Sequence, residues 1–235
     1  MRWILAALVA CDQPPVHPEP VEVVPKAPVE WQRPIPVPTD LSPGADLSGH
    51  QLASLDLTGA DLFGIDLTVA QLERVTLAKA NLSGARLSGL QATGVVMTGA
   101  DLTAADLTEA SLTGARLQDA VLKGADLSGV DLSESQMSRV RLDRANLREA
   151  NLSGAVLVEA NLLEANLREA DLSGANLLGA SLMGCDLSGA DLSDAEMEGT
   201  NLVGAVASTS TRWPQGFNPR SYGLKELIVN LNAAE

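Results

Sequence analysis

Residues 100–129 read ADLTA ADLTE ASLTG ARLQD AVLKG ADLSG, six consecutive units of five with Leu at the centre of each. The period runs far in both directions. Every fifth position from 47 to 202 is Leu, except Ala92, Met97, Met137 and Met197, which makes 32 units without interruption. The residue two before the centre is usually Ala, as at Ala100, Ala105, Ala110, Ala115, Ala120 and Ala125. The residue just before it is often Asp or Asn, the one after it Ser or Thr, and the fifth place is Gly in 17 units.

A strict period of five fits neither common element. On a helix at about 100° per residue, successive Leu would step 140° and form no single face. On a flat strand, an odd period would send alternate Leu to opposite faces. The Gly content also opposes a helix. The geometry that fits keeps two residues of each unit inward, two apart, and then turns a corner. Four units then close a square coil, and 32 units make eight coils. At about 4.8 Å per coil the stack is roughly 38 Å long. No Pro falls within the repeat, as expected where backbone N–H groups bond to neighbouring coils. The larger inward residues (Leu55, Ile65, Val75, Leu90, Val95) gather at the N-terminal end, with the small Ala92 nearby as volume compensation.

The A(D/N)LxG pattern resembles the pentapeptide-repeat family. That resemblance implies an all-β, right-handed quadrilateral β-helix, here over 45–205, about two-thirds of the chain. The stretch Thr211-Arg212-Trp213-Pro214-Gln215-Gly216-Phe217-Asn218-Pro219 is similar to a tail found after the last coil in other members, so Trp213 and Phe217 are expected to plug coil eight in a cap over 206–235. Leu224, Leu227, Ile228 and Leu231 stand at helical spacing, so a short amphipathic α-helix is expected over 224–232. Packing on its own rod is the simpler account of that helix, homodimerisation the sharper one.

The N-terminal flank divides in two. Residues 1–11, MRWILAALVAC, carry one basic residue, an apolar stretch and Cys11, and Leu8-Val9-Ala10-Cys11 resembles a bacterial lipobox. The resemblance makes Cys11 the lipidated first residue of a mature lipoprotein; the bland alternative is an apolar N-terminus with an incidental Cys. Asp12 resembles an inner-membrane retention signal of some Gram-negative bacteria. Residues 12–44 hold ten of the twelve prolines, which forbids helix and favours an extended spacer. Such a segment can also blunt the N-terminal edge of the rod. Docking of its Pro-rich sequence in an aromatic-lined groove is the functional alternative, with Trp31 as the anchor.

Charge and residue counts exclude several function classes. With 16 Lys+Arg against 30 Asp+Glu, the net charge of −14 opposes direct contact with nucleic acid or an anionic membrane. Two Cys and two His rule out a disulfide scaffold and argue strongly against a zinc site, so no metal or other cofactor is expected. His17 lies in the spacer, His50 and Cys185 in inward columns, and no general base stands beside a nucleophile. A row of stacked outward Asp on one face reads as a solvated wall, since calcium needs six to eight converging oxygens. No enzyme activity is expected.

Two surface features remain as candidate interaction sites. Arg139, Arg141, Arg144 and Arg148 cluster mid-rod. Val156, Val158, Leu163, Leu178, Met183 and Val203 are apolar at outward places where Ser, Thr or Asp is usual. They fall on two adjacent faces, and docking of the chain's own tail is the simplest cover for them.

Two functions follow as expectations. The first is a lipid-anchored protein of the bacterial cell envelope, a non-enzymatic scaffold for an unknown protein partner, with the lipid on Cys11 as its sole membrane contact and the membrane, inner or outer, left open. The second comes from the family resemblance: some members are cytoplasmic DNA mimics that bind DNA gyrase and protect it from quinolones. Over 45–205 the chain holds 23 acidic and 10 basic residues. Duplex DNA carries one charge per ~1.7 Å, about 22 over the rod's length, so the mimicry is about half-strength. An exported rod would not meet gyrase.

Overall fold

The computed structural model describes residues 41–228 of the 235-residue chain. Cys11, the leader, nearly all of the Pro-rich segment and the end of the expected 224–232 helix lie outside the described residues.

The chain returns above itself once in every four units. Parallel β-bridges run in four columns, one for each unit of a coil: Asp46↔Asp66↔Arg86 on one side, then Gln71↔Gln91↔Ser111, Asp56↔Thr76↔Val96 and Asp61↔Asn81↔Asp101 on the other three. Pairing is so brief that only two stretches within the repeat lengthen into strands, β1 (Gln51–Ala53) and β2 (Gln71–Glu73), which are parallel and in the same four-unit register. We letter the sides A to D in chain order, starting with the units centred on Leu47, Leu52, Leu57 and Leu62.

Local chemistry explains the period. Within a unit, the first place (Ala) and the third (Leu) point inward, and both are buried along almost the whole stack. Each buried Leu contributes about 1.5–3 kcal/mol of transfer free energy. The second place carries the bridge, and its Asp or Asn side chain accepts a hydrogen bond from the N–H two residues on, as Asp106 Oδ1 does from Thr108 (3.0 Å) and Asn151 Oδ1 from Ser153 (3.1 Å). The fifth place is the corner. Its φ lies in the left-handed region at Gly and non-Gly residues alike, from Gly64 at 64° to Glu149 at 59°. That is why Gly is common there. After the corner, the next N–H closes the turn onto the Leu three residues back, as from Ala105 to Leu102 (3.0 Å).

Ile65, Val75, Leu90, Val95 and Ala92 are buried as their places require. Leu55 is inward but only partly buried, as is Leu57 beside it, because both belong to the first coil.

Past residue 205 the coil continues in altered form. β3 (Val206–Ser208) stacks on side A, since Asp186 bridges Val206. Asp191 then bridges Arg212 where the regular register calls for Thr211, so one extra residue is taken up between the two. A tight turn accommodates it: Ser208 N–H donates to Thr211 Oγ1 (3.0 Å), whose hydroxyl donates to the Leu187 carbonyl (2.8 Å). The chain closes through a 3₁₀ turn at Pro219–Tyr222, with Asn218 as its N-cap. Trp213 and Phe217 stack with ring centroids 5.6 Å apart, Phe217 meets Tyr222 at 4.6 Å, and all three are partly buried against the end of the core.

Over its described part, 224–228, the expected α-helix of 224–232 does not form. Glu226–Ile228 is a strand, β4, parallel to β3 with Leu227 opposite Ala207. Leu224, Leu227 and Ile228 do have helical spacing, but the last coil presents an open row of N–H and C=O groups. Pairing with that row satisfies backbone groups that a short helix would leave to solvent. The described part of the segment is thus committed to its own rod.

Candidate interaction surface

The four sides differ in charge far more than the fold requires. Over 45–205, sides A and B with their corners carry fourteen acidic and four basic side chains, whereas C and D carry nine and six. The outward apolar residues fall on C and D: Val156, Val158 and Leu178 on C, Leu163, Met183 and Val203 on D. Leu163, Met183 and Val203 form one column in coils six, seven and eight, about 4.8 Å apart. Leu178 is 41% and Val203 53% exposed; the other four are half-buried by their neighbours. Phe63, 56% exposed on side D of the first coil, is a further outward hydrophobe outside the patch the sequence marks, although its place in the unit makes it legible.

The described tail meets this patch only at its end, at Val203. It stacks on the end of the rod, where Leu202 N–H donates to the Tyr222 carbonyl (2.9 Å) and Gly223 lies over Val203. A Cβ on Gly223 would stand 2.7 Å from Val203 Cγ2, so Gly is needed for that approach. Of the expected cover by residues 206–235, the described part crosses the end of the rod and touches Val203, and residues 229–235 lie outside the described residues.

The arginine cluster is internally matched. Arg139 makes a two-point contact with Asp119 one coil away (2.8 and 2.9 Å), and Arg144 meets Glu164 at 2.7 Å. Arg148 reaches Glu149 (2.8 Å) and Glu169 (3.1 Å), and Arg141 lies 3.6 Å from Asp143. Such exposed pairs add little to stability, because water and salt screen them. What the pairs of Arg139, Arg141 and Arg144 do is remove net charge from side D and its corners, just below Leu163.

The wall of second-place carboxylates is also tied into the fold. Asn146 Nδ2 donates to Asp126 Oδ1 (2.9 Å), Asn166 Nδ2 to Asn146 Oδ1 (2.9 Å), and Arg86 pairs with Asp66 (3.1 Å). Ser48 and Thr58, by side chain and backbone, hold the Asp46 and Asp56 carboxyls below the usual carboxylate range. The Arg139 hydrogen bond does the same for Asp119. Among the described residues, no group of three or more His, Cys, Asp or Glu could hold a metal ion. Cys185 is buried, donates to the Leu162 carbonyl (2.9 Å), and has its thiol pushed up to about 12 by burial, so it is no nucleophile. His50, half-buried, meets the Ser48 carbonyl through Nδ1 (3.0 Å). No helix among the described residues is long and apolar enough to cross a membrane.

The repeat chemistry places this chain in a family. The pentapeptide-repeat model matches over residues 70–108, 105–144, 135–174 and 165–204, more than half of the chain, and the chain belongs to the pentapeptide-repeat family. Members of that family form right-handed quadrilateral β-helices and are generally non-enzymatic structural or interaction proteins. Among solved structures, the chain is similar to HetL, a pentapeptide repeat protein involved in heterocyst differentiation regulation in the cyanobacterium Nostoc sp. strain PCC 7120. The two share 31% identity over 78% of this chain and 86% of that one, with a TM-score of 0.36. It is also similar to a trypsin-treated form of QnrB1, a plasmid-mediated fluoroquinolone resistance protein, at 22% identity over 77% of this chain and 92% of that one, with a TM-score of 0.44. A pentapeptide repeat protein from the Arabidopsis thaliana thylakoid lumen matches at 26% identity over 57% of this chain and 68% of that one, with a TM-score of 0.16. No curated protein sequence matches the chain.

Proposed function

We propose that this protein is a lipid-anchored scaffold of a bacterial cell envelope, a right-handed quadrilateral β-helix of eight coils that binds a protein partner through sides C and D. The observation that supports the binding role is the outward apolar column Leu163, Met183 and Val203, flanked by the exposed Leu178 on the adjoining side and met by the described tail only at Val203, which stays 53% exposed. A surface of this kind marks an interface, and the self-neutralised arginines beside it lower the charge that a partner would have to desolvate. The anchoring role rests on Leu8-Val9-Ala10-Cys11 and on the Pro-rich segment after it, which gives the rod reach. Several acyl chains on one Cys hold far more firmly than one.

Two experiments test the two halves. Labelling with a palmitate analogue, wild type beside Cys11→Ala, followed by fractionation, should show a membrane-associated protein whose label vanishes with the Cys. An unlabelled, full-length, cytosolic chain defeats the anchor. Replacing Leu163, Leu178 and Met183 with Ser should abolish capture of the partner while the rod stays folded; capture unchanged defeats the interface.

A second reading has its own observation. The excess of acid on sides A and B is the charge asymmetry expected of a cytoplasmic DNA mimic that binds DNA gyrase or another topoisomerase. Inhibition of gyrase supercoiling by the purified rod would support it, and an envelope location would exclude it.

A further inference from the structure

We infer that side D is a self-association face whose occupant is side D of a second copy of this chain, packed antiparallel to the first; the inference rests on reading sides C and D as the interaction surface. Charge singles this side out. With the corners at both its edges, side D carries six acidic and five basic side chains, whereas side B, opposite it in the square coil, carries nine and one. Two copies joined through D therefore turn side B outermost, where their like charges are farthest apart. Side D is also apolar at its two ends. Phe63 in coil one is 56% exposed and Val203 in coil eight 53%. The corners beside them are Gly59, Gly64, Gly199 and Gly204, so no long corner side chain stands in front of either.

The order of residues along the side is self-complementary. In an antiparallel pair with its twofold axis between coils four and five, coil one of one copy opposes coil eight of the other, two opposes seven, three opposes six and four opposes five. The fourth places then match large against small: Phe63 meets Val203, Met183 meets Ser83 and Leu163 meets Thr103. Beside the axis Lys123 meets Asp143, and at the corner between sides C and D Asp119 meets Arg139. Symmetry makes each of these contacts twice. Lys123 is exposed and has no ion pair among the described residues, and Asp143 lies 3.6 Å from its own Arg141. Arg139 and Asp119 already bond within one chain, so two copies bring four such charges together in alternation.

Both the register and the choice of side follow from charge. In this arrangement no two like charges stand directly opposite each other on side D or its corners. Sliding the axis by one coil loses that property. It sets Lys123 on Lys123 and Asp119 on Asp119 in one direction, and Arg141 on Arg141 and Asp143 on Asp143 in the other. The same antiparallel pairing of side A would set Asp46 against Asp186 and Asp106 against Asp126, and of side C Asp56 against Glu196. Side B would bring two strongly negative surfaces together. A strip roughly 38 Å long and ~10 Å wide covers about 400 Å² of each copy, the size of a weak and reversible interface. The dimer is therefore concentration-dependent.

Sedimentation of the full-length chain, with Cys11→Ala so that no lipid drives association, tests this. With side D intact, the chain should pass from monomer to dimer as its concentration rises. Lys123→Asp sets carboxylates against Asp143, Asp143→Lys sets ammonium groups against Lys123, and each should weaken the dimer at least tenfold. Mixing the two variants should restore it, because both contacts beside the axis again join opposite charges. Nothing within either chain changes on mixing, so a folding defect cannot imitate that rescue. Phe63→Cys and Val203→Cys on separate copies should form a covalent dimer together on mild oxidation, and neither should do so alone. A chain that stays monomeric at every concentration overturns the inference. So does Phe63→Cys cross-linking to itself, which means parallel packing, or a mixture of charge variants no more associated than either alone. If the chain is monomeric yet loses a captured protein when Leu163, Leu178 and Met183 become Ser, that protein is the occupant and the reading of sides C and D stands. If capture is unchanged as well, that reading falls with the inference.

Discussion

Replacing Ser135 with Ala should stabilise the rod by about 1 kcal/mol. Ser135 takes an inward first place on side C, is 0% exposed, and its Oγ has no hydrogen-bond partner. Other inward polar groups show what a satisfied one looks like here. Thr200 Oγ1 donates to the Leu177 carbonyl (3.2 Å) and the Met197 carbonyl (2.8 Å), and Cys185 reaches the equivalent Leu162 carbonyl. A buried hydroxyl without a partner costs about 1–3 kcal/mol. Removing its oxygen leaves a one-atom gap, worth roughly 1 kcal/mol or less in lost packing. Ala115 and Ala155, one coil below and above in the same column, are fully buried, so a methyl group suits the place. A net gain of about 1 kcal/mol raises Tm by roughly 2–4 °C in a domain of this size. Thr200→Ala should move the other way by about 1 kcal/mol, because it deletes bonds and leaves two carbonyls with one donor fewer. Thermal and urea unfolding of both variants, followed by circular dichroism, gives the comparison. If Ser135→Ala is neutral or destabilising while Thr200→Ala behaves as stated, the side chain at 135 is satisfied and the reasoning is wrong.

Other expectations follow from the corners, the carboxylates and the thiol. Gly129→Ala puts a Cβ at φ 67° and against the Glu109 carboxylate, and should cost about 1–2 kcal/mol in unfolding experiments, with Glu109→Ala restoring only the part due to contact. Asp46, Asp56 and Asp119 have folded values below their ordinary 3.8, so the folded state binds fewer protons than the unfolded one near that pH. Their contribution is complete above about pH 4 and is lost as pH falls through the folded values; Tm measured from pH 7 downward should hold to about 4 and then drop. In a Cys11→Ala background, native protein at pH 8 should leave Cys185 unreacted with a thiol reagent and release one equivalent only after denaturation.

How much of this the sequence could show depends on what each feature answers to. The four-unit register, the inward places of Leu and Ala, and the Gly corners are legible because every unit repeats the same physical constraint. Tyr222 is hard to pick out because the regular units end near 205, yet it stands one coil beyond Leu202 and joins Trp213 and Phe217 over the core. The segment 224–232 misleads for a related reason. Leu224, Leu227 and Ile228 satisfy a helical spacing, and only the open edge of the last coil, invisible to a local reading, turns 226–228 into β4. The apolar patch can be placed by counting, but whether the tail covers it depends on the extra residue before Arg212 and on Gly223, which no period announces.

The acidic sides pose the remaining question, because charge and fold are separable at the second place. Asp and Asn do the same structural work there: Asp171 Oδ1 accepts from Ser173 N–H at 2.9 Å and Asn201 Oδ1 from Val203 N–H at 3.0 Å. Folding is therefore nearly indifferent between them, yet sides A and B hold eight Asp and three Asn at that place, and C and D three and four. That bias is a property of the surface rather than of the coil. Converting Asp46, Asp106, Asp126 and Asp171 to Asn keeps every turn acceptor (3.0, 3.0, 3.1 and 2.9 Å to the N–H two residues on) and breaks no ion pair with Arg. The variant should melt within a few degrees of wild type at neutral pH. If gyrase or another basic partner reads sides A and B, four fewer charges should weaken its binding and flatten the salt dependence. If binding is unchanged in that variant and lost when Leu163, Leu178 and Met183 become Ser, the partner reads sides C and D, and the acid on the opposite sides keeps copies of the rod from meeting there.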